Sequence, residues 1–170
     1  KRVTYYSFTR IGREIAYQPA AGRRPFRATS IGTENQVTLR PAPRLRLDHT
    51  VLLTRLKDFS SSAHVFTNAI FRQKINFQFN RELSLRTIVQ YENTVPNTAL
   101  SGLARTRRFS GDVLLSYVLH PGTALYLGYA HHLDNVDVGL GRVTGAPFRT
   151  SALFPTGRQF FAKLHRYLGP

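Results

Sequence analysis

Arg40, Arg44 and Arg46 stand an even number of residues apart, as do Arg72 and Lys74, while Arg86 and Lys163 sit in similarly alternating surroundings. Successive side chains of an extended chain point to opposite sides, so this spacing gathers positive charge on one side. Fixed cations lining a narrow passage with low-dielectric walls attract anions. The plainer reading is that these seven pair with Asp48, Glu92, Asp112 and loop carboxylates, or stay hydrated, because a porin-like interior is polar whether or not it selects. With 24 Lys and Arg against 9 Asp and Glu, pairing within the chain cannot be complete.

A second group is His131-His132 with Asp134, Asn135 and Asp137. Histidine and carboxylates of this kind hold zinc, and spaced acids hold calcium. Adjacent histidines on a strand face opposite ways, which argues against their sharing one ion, so no metal or other cofactor is assigned. No nucleophile elbow, zinc-protease motif or phosphate loop is present, and Gly139-Leu140-Gly141 is too short to serve as one. Cysteine is absent, which removes disulfides, thiolate metal sites and a cysteine nucleophile. No catalytic residues are assigned.

Strands must position the basic side chains. In 70–95 (IFRQKINFQFNRELSLRTIVQYENTV), Ile75, Phe77 and Phe79 alternate with Lys74, Asn76, Gln78 and Asn80. After the polar step Asn80-Arg81-Glu82, Leu83, Leu85, Val89 and Tyr91 alternate with Ser84, Arg86, Gln90 and Glu92. This pattern predicts an antiparallel hairpin with one apolar and one basic side. Each arm has about ten residues, the length of a tilted strand crossing a bilayer. Leu45, Leu47, Val51 and Leu53 repeat the pattern, as do Phe109, Val113, Leu115 and Tyr117, followed by a turn at Pro121-Gly122 and a return through Leu125, Leu127 and Tyr129. Weaker strands are expected at 3–9 and 13–18, split by Ile11-Gly12; another runs over 26–40, and a closing one over 158–168 after the longest loop, 134–157. The apolar period is two, not the helical mixture of three and four. The chain therefore reads as all-β, an antiparallel up-and-down transmembrane β-barrel of about nine meander strands.

The connections alternate short and long, with 10–12, 41–43, 80–82 and 120–122 short and 19–25, 58–64, 94–107 and 134–157 longer. Outer-membrane barrels show this asymmetry, with short periplasmic turns and longer outer loops, and on that scheme the C-terminus is periplasmic. Bacterial single-chain barrels have even strand numbers. An odd count, and a chain that opens at Lys1-Arg2 without methionine, make residues 1–170 either one barrel domain or the C-terminal part of a larger barrel. Tyr5, Tyr6, Tyr91, Tyr117, Tyr129, Phe160 and Tyr167 are expected near strand ends, as interfacial girdles.

The segments TLRPAPRLRLD at 38–48, FRQKINFQFNRELSLRTIVQYE at 71–92, LLSYVLHPGTALYLGY at 114–129 and GRQFFAKL at 157–164 resemble the C-terminal end of a group of bacterial envelope proteins. These carry an N-terminal family-nine-type carbohydrate-binding domain followed by a barrel domain of unknown function. The resemblance spans roughly the last four-fifths of the chain and implies an outer-membrane location. It also implies contact with outer-membrane lipid and lipopolysaccharide, insertion by the barrel-assembly machinery, and carbohydrate binding by a domain absent from these residues. It supplies no catalytic residues. The tail departs from the group's aromatic ending, because Lys163-Leu164 is followed by His165-Arg166-Tyr167-Leu168-Gly169-Pro170, which weakens the implied recognition by the assembly machinery.

The expected function is a pore or membrane anchor with a cationic lumen that binds no nucleic acid. The rival is a soluble basic β-domain that binds nucleic acid or another polyanion, motivated by a net charge of +15 and a pI near 11.2. Long strands, alternating loop lengths and the lack of a glycine-aromatic RNA-recognition signature favour the first.

Overall fold

The computed structural model describes residues 2–120, 122–137 and 148–166. Eight antiparallel strands run in chain order: β1 (Val3–Ala16), β2 (Phe26–Ala42), β3 (Leu45–Asp58), β4 (His64–Gln78), β5 (Leu83–Pro96), β6 (Thr106–His120), β7 (Thr123–Asp137) and β8 (Phe148–Arg166). Each pairs with the next in a single meander sheet. The sheet does not close, since β1 and β8 are its two edges. Strands of 14 to 19 residues are about three times the usual soluble length.

The count of nine is corrected to eight. Ile11 pairs with Ile31 and Gly12 with Ser30 in unbroken register, so 3–9 and 13–18 belong to one strand. Glycine weakens a strand interior, but β2 supplies the ladder across it. The expected long loop at 134–157 is also corrected, because β7 runs to Asp137 and β8 starts at Phe148. Register shifts at His132/Leu133 and Asp134/Val136 break the two-residue period there, which hid the end of β7 and the start of β8. Pro121, Gly139-Leu140-Gly141 and the tail from Tyr167 lie outside the described residues.

Losing the supposed turn at 10–12 leaves the loop asymmetry intact. One end of the sheet carries the short turns 43–44 and 79–82, and only two residues separate β6 from β7 there; the other end carries 17–25, 59–63 and 97–105. Local chemistry sets both kinds of turn. Asn80 Oδ1 accepts from the backbone N–H of Glu82 (2.9 Å) and Leu83 (2.6 Å), and Gly122 supplies φ +92, a conformation that a Cβ would strain. At the long-loop end Asp58 Oδ1 accepts from the Ser60 hydroxyl and from the Ser60 and Ser61 amides. These bonds, the Ser60 hydroxyl first, hold its carboxyl down at about 2. The tie is at full strength above the ordinary carboxylate value and is lost as pH falls through that lowered one.

Register assigns every side chain to one of two sides. The row Leu45, Phe77, Leu85, Leu115, Leu127, Ala162 and the row Leu47, Ile75, Thr87, Val113, Tyr129, Phe160 lie on the apolar side. Between them, on the opposite side, runs Arg46, Asn76, Arg86, Leu114, Gly128, Phe161. Concavities in the sheet are lined chiefly by residues of this polar side, so the sheet curls around it and the apolar side is convex. The aromatic girdle is only partly placed as expected. Tyr6 falls on the concave side, and Tyr91 and Tyr129 are mid-strand.

A small core of Ala16, Ala28, Leu56 and Val65, with Phe26, Phe66 and Leu100 packed against it, sits at the long-loop end. It is covered by the 97–105 connection, which crosses from β5 to the segment after β1. Ser101 bridges Pro19, the Gly102 amide donates to the Gln18 carbonyl at 3.0 Å, and the Ala20 amide donates to Leu100 at 3.2 Å. Asn97 Nδ2 anchors the near end on the His64 carbonyl at 2.9 Å. A Cβ on Gly102 would lie 2.8 Å from the Pro19 carbonyl oxygen, and backbone cannot swing aside. Gly102→Ala is therefore expected to cost about 1–3 kcal/mol and to part the strap from residues 18–20. Faster proteolytic nicking within 97–105, without loss of strand content by circular dichroism, is the readout.

Candidate functional site

The concave face near the short turns is the site these strands build. Register puts Arg46, Arg72, Lys74, Arg86 and Lys163 on that face: Arg46 opposite Asn76, Arg72 opposite Gln90, Lys74 between Asp48 and Ile88, Arg86 between Asn76 and Leu114, and Lys163 opposite Tyr126. Arg40 follows the register shift after Leu39, and Arg44 occupies the two-residue turn. A pocket of about 610 Å³ opens between Arg40, Arg44, Arg46 and Arg86, with Ser84 and Ser116 on its floor. Leu114 and Tyr126 are shared with a smaller concavity that Lys163 and His165 line, so the basic surface continues towards β8.

The seven cations are not equivalent. Arg46 Nε sits 2.9 Å from Asp48 Oδ1 and 3.0 Å from Oδ2, and that carboxylate also accepts from the Thr38 hydroxyl at 2.7 Å. Arg72 Nε donates to Gln90 Oε1 at 2.8 Å, and Arg44 donates to the Phe79 carbonyl at 2.9 Å. Among the described residues, no carboxylate lies within 4.0 Å of Arg40, Arg44, Arg72, Lys74, Arg86 or Lys163. An anion can therefore be met at these six without breaking an ion pair among the described residues.

Charge on the concave side is graded along the strands. The row nearer the long loops reads Glu34, Leu52, Ile70, Glu92, Arg108, Asp134, mixed in sign and partly neutralised by Arg108–Asp134 at 3.1 Å. Glu14, Asp48, Asp58 and Asp112 also lie on this side. No strand carboxylate whose side chain is described lies on the convex side.

The possible metal group is dispersed. His131 pairs with Gly111 and Arg158 on the convex side, and His132 with Ser110 and Gly157 on the concave one. Asp134 is held by Arg108 and, at 3.7 Å, by Arg149. Asn135 is 1 % exposed. Its Nδ2 donates to the Arg105 and Thr150 carbonyls, and its Oδ1 accepts from the Arg107 amide and the Arg149 guanidinium. Among the described residues no three His, Asp or Glu side chains converge as a metal site, and the Asp137 side chain lies outside the described residues. Sequence reasoning named Asn135 for its ligand atoms, and nothing local marked it as the tie between β6, β7 and β8.

No family model, curated protein or solved structure matches the chain.

Proposed function

We propose that this sheet forms wall of an outer-membrane β-barrel whose convex apolar side meets lipid and whose concave cationic side lines a watery interior that passes anions. The observation that carries this is that, among the described residues, no second layer covers the apolar side. A water-soluble sheet buries its apolar side against another sheet or helices. Here Tyr5, Ile11, Phe71 and Phe160 are 63 %, 70 %, 51 % and 70 % exposed on the convex side. Only five hydrophobic residues are buried among those described, too few for the core of a soluble domain of this length. An open edge in hydrocarbon leaves backbone groups unpaired, so this reading requires the edges of β1 and β8 to be paired in the membrane.

Because the chain has no cysteine, single cysteines test the facing cleanly. In membrane-inserted protein a water-soluble maleimide is expected to label Ser116→Cys and to spare its neighbour Leu115→Cys. Equal labelling overturns the assignment. Selectivity is tested separately in planar bilayers. Arg40→Glu with Arg86→Glu is expected to lower the ratio of anion to cation permeability several-fold, read as a shift in reversal potential under a salt gradient. A protein that inserts but passes no current is an anchor, not a pore.

The net charge of +15 favours one competing reading, a salt-soluble polyanion binder whose affinity falls steeply with ionic strength. That protein would need no detergent for extraction, whereas the membrane reading predicts detergent dependence and heat-modifiable gel mobility.

A further inference from the structure

The convex side is apolar for most of its length, but it changes character at the long-loop end of the first three strands. Arg13 on β1 pairs with Thr29 on β2, which pairs with Lys57 on β3. Arg27 lies two residues from Thr29 and Arg55 two residues from Lys57 on the same side. With strands about 4.8 Å apart and a rise of about 3.3 Å per residue, the four cations share a patch roughly 10 Å across the strands and about 13 Å along them. Arg13 is also fixed in place, its guanidinium 4.9 Å from the centre of the Phe59 ring. Towards the strand middles the same side continues as Ile11, Ile31 and Leu53.

Nothing on that side balances the charge. Every strand carboxylate with a described side chain faces the other way, and no ion pair among the described residues involves Arg13, Arg27, Arg55 or Lys57. Arg107, Arg158 and Arg166 share the convex side but lie on β6 and β8, away from the patch. Cations bordering an apolar band occupy the level of a bilayer's headgroups, where phosphates are the available counter-charge. Arginine is suited to them, because its planar fork binds phosphate oxygens two at a time.

We propose that Arg13, Arg27, Arg55 and Lys57 form a binding site for the phosphate groups of a membrane lipid in the leaflet on the long-loop side. The site rests on the convex face lying in lipid and deepens that reading. It would hold phosphorylated lipid annularly, by headgroup, with the acyl chains against Ile11, Ile31 and Leu53.

The test uses the full chain folded in mixed micelles that offer phosphatidic acid and phosphatidylcholine of identical acyl chains, with retained lipid measured by native mass spectrometry. Wild-type protein is expected to retain phosphatidic acid preferentially. Arg13→Gln/Arg55→Gln/Lys57→Gln is expected to lower that preference by about tenfold or more, the scale for removing three cations from an anionic surface. Arg2→Gln/Arg10→Gln/Arg81→Gln removes the same charge elsewhere and is expected to leave the preference unchanged. Equal loss in both triples, or no loss in the first, overturns the site. If the first triple does not fold, judged by heat-modifiable mobility, Arg55→Gln alone is read against Arg10→Gln by the same criterion. A wild-type chain that folds without detergent and retains neither lipid refutes the membrane reading itself, a result distinct from loss of phosphate preference in an inserted protein.

Discussion

Leu85→Arg is expected to destabilise the bilayer-inserted protein by about 2–4 kcal/mol, the cost of a cation on the lipid face near the midplane, while Arg86→Gln changes stability by no more than about 0.5 kcal/mol. The two positions are adjacent in sequence and opposite in environment. Leu85 stands between Phe77 and Leu115 on the convex side, in a row that continues to Leu127. Arg86 stands between Asn76 and Leu114 and lines the 610 Å³ pocket, with no carboxylate partner among the described residues. In hydrocarbon the guanidinium at position 85 must be dehydrated or reach for an interface; at position 86 an amide replaces a hydrated cation and leaves nothing buried unpaired. Reversible urea unfolding from lipid vesicles measures both. If the convex side met water instead, the partly exposed Leu85 would tolerate arginine almost as well as position 86 tolerates glutamine. Equal tolerance therefore reverses the facing and with it the proposed function.

How far the sequence carried depends on where the two-residue period survives. From Leu45 to Tyr129 it is nearly unbroken, so β3 to β7, their sides and the turn at 79–82 were legible. Five of the basic residues could be assigned a common side from parity alone. It fails where a residue is inserted or a side chain is too small to show the pattern. Gly12 removed one apolar or polar mark and split β1 on paper, and the shifts around Leu133 and Asn135 inverted parity midway through β7 and β8. Long-range placement was out of reach. Arg55 and Lys57 can be put on the apolar side of β3 from Leu53, but only the register of three strands brings Arg13 and Arg27 beside them. The strap at 97–105 was equally hidden, because its contacts to residues 18–20 are set by the curl of the sheet and not by any local pattern.

Asn135→Ala is the second large effect, with an expected cost of about 2–4 kcal/mol and a local signature. The amide is buried and fully engaged: two donor bonds to the Arg105 and Thr150 carbonyls at 3.0 and 3.1 Å, and an acceptor that takes the Arg107 amide at 2.9 Å and Arg149 at 3.3 Å. It lies within the second register shift, between Asp134 and Val136, so the side chain replaces backbone bonds the bulge has removed. Alanine leaves an N–H and two carbonyls without partners in part-buried surroundings, and each such group costs up to about 1–3 kcal/mol before relaxation or water entry. Asn76→Ala is the comparison, since Asn76 lines the open pocket and its loss is expected to cost no more than about 0.5 kcal/mol. Hydrogen exchange supplies the local readout: the Arg107 amide should lose protection in Asn135→Ala, while amides in the β4–β5 hairpin keep theirs. Unchanged protection at Arg107, or a stability loss no larger than that of Asn76→Ala, would mean that the bulged end of β7 and β8 is held by something other than this amide.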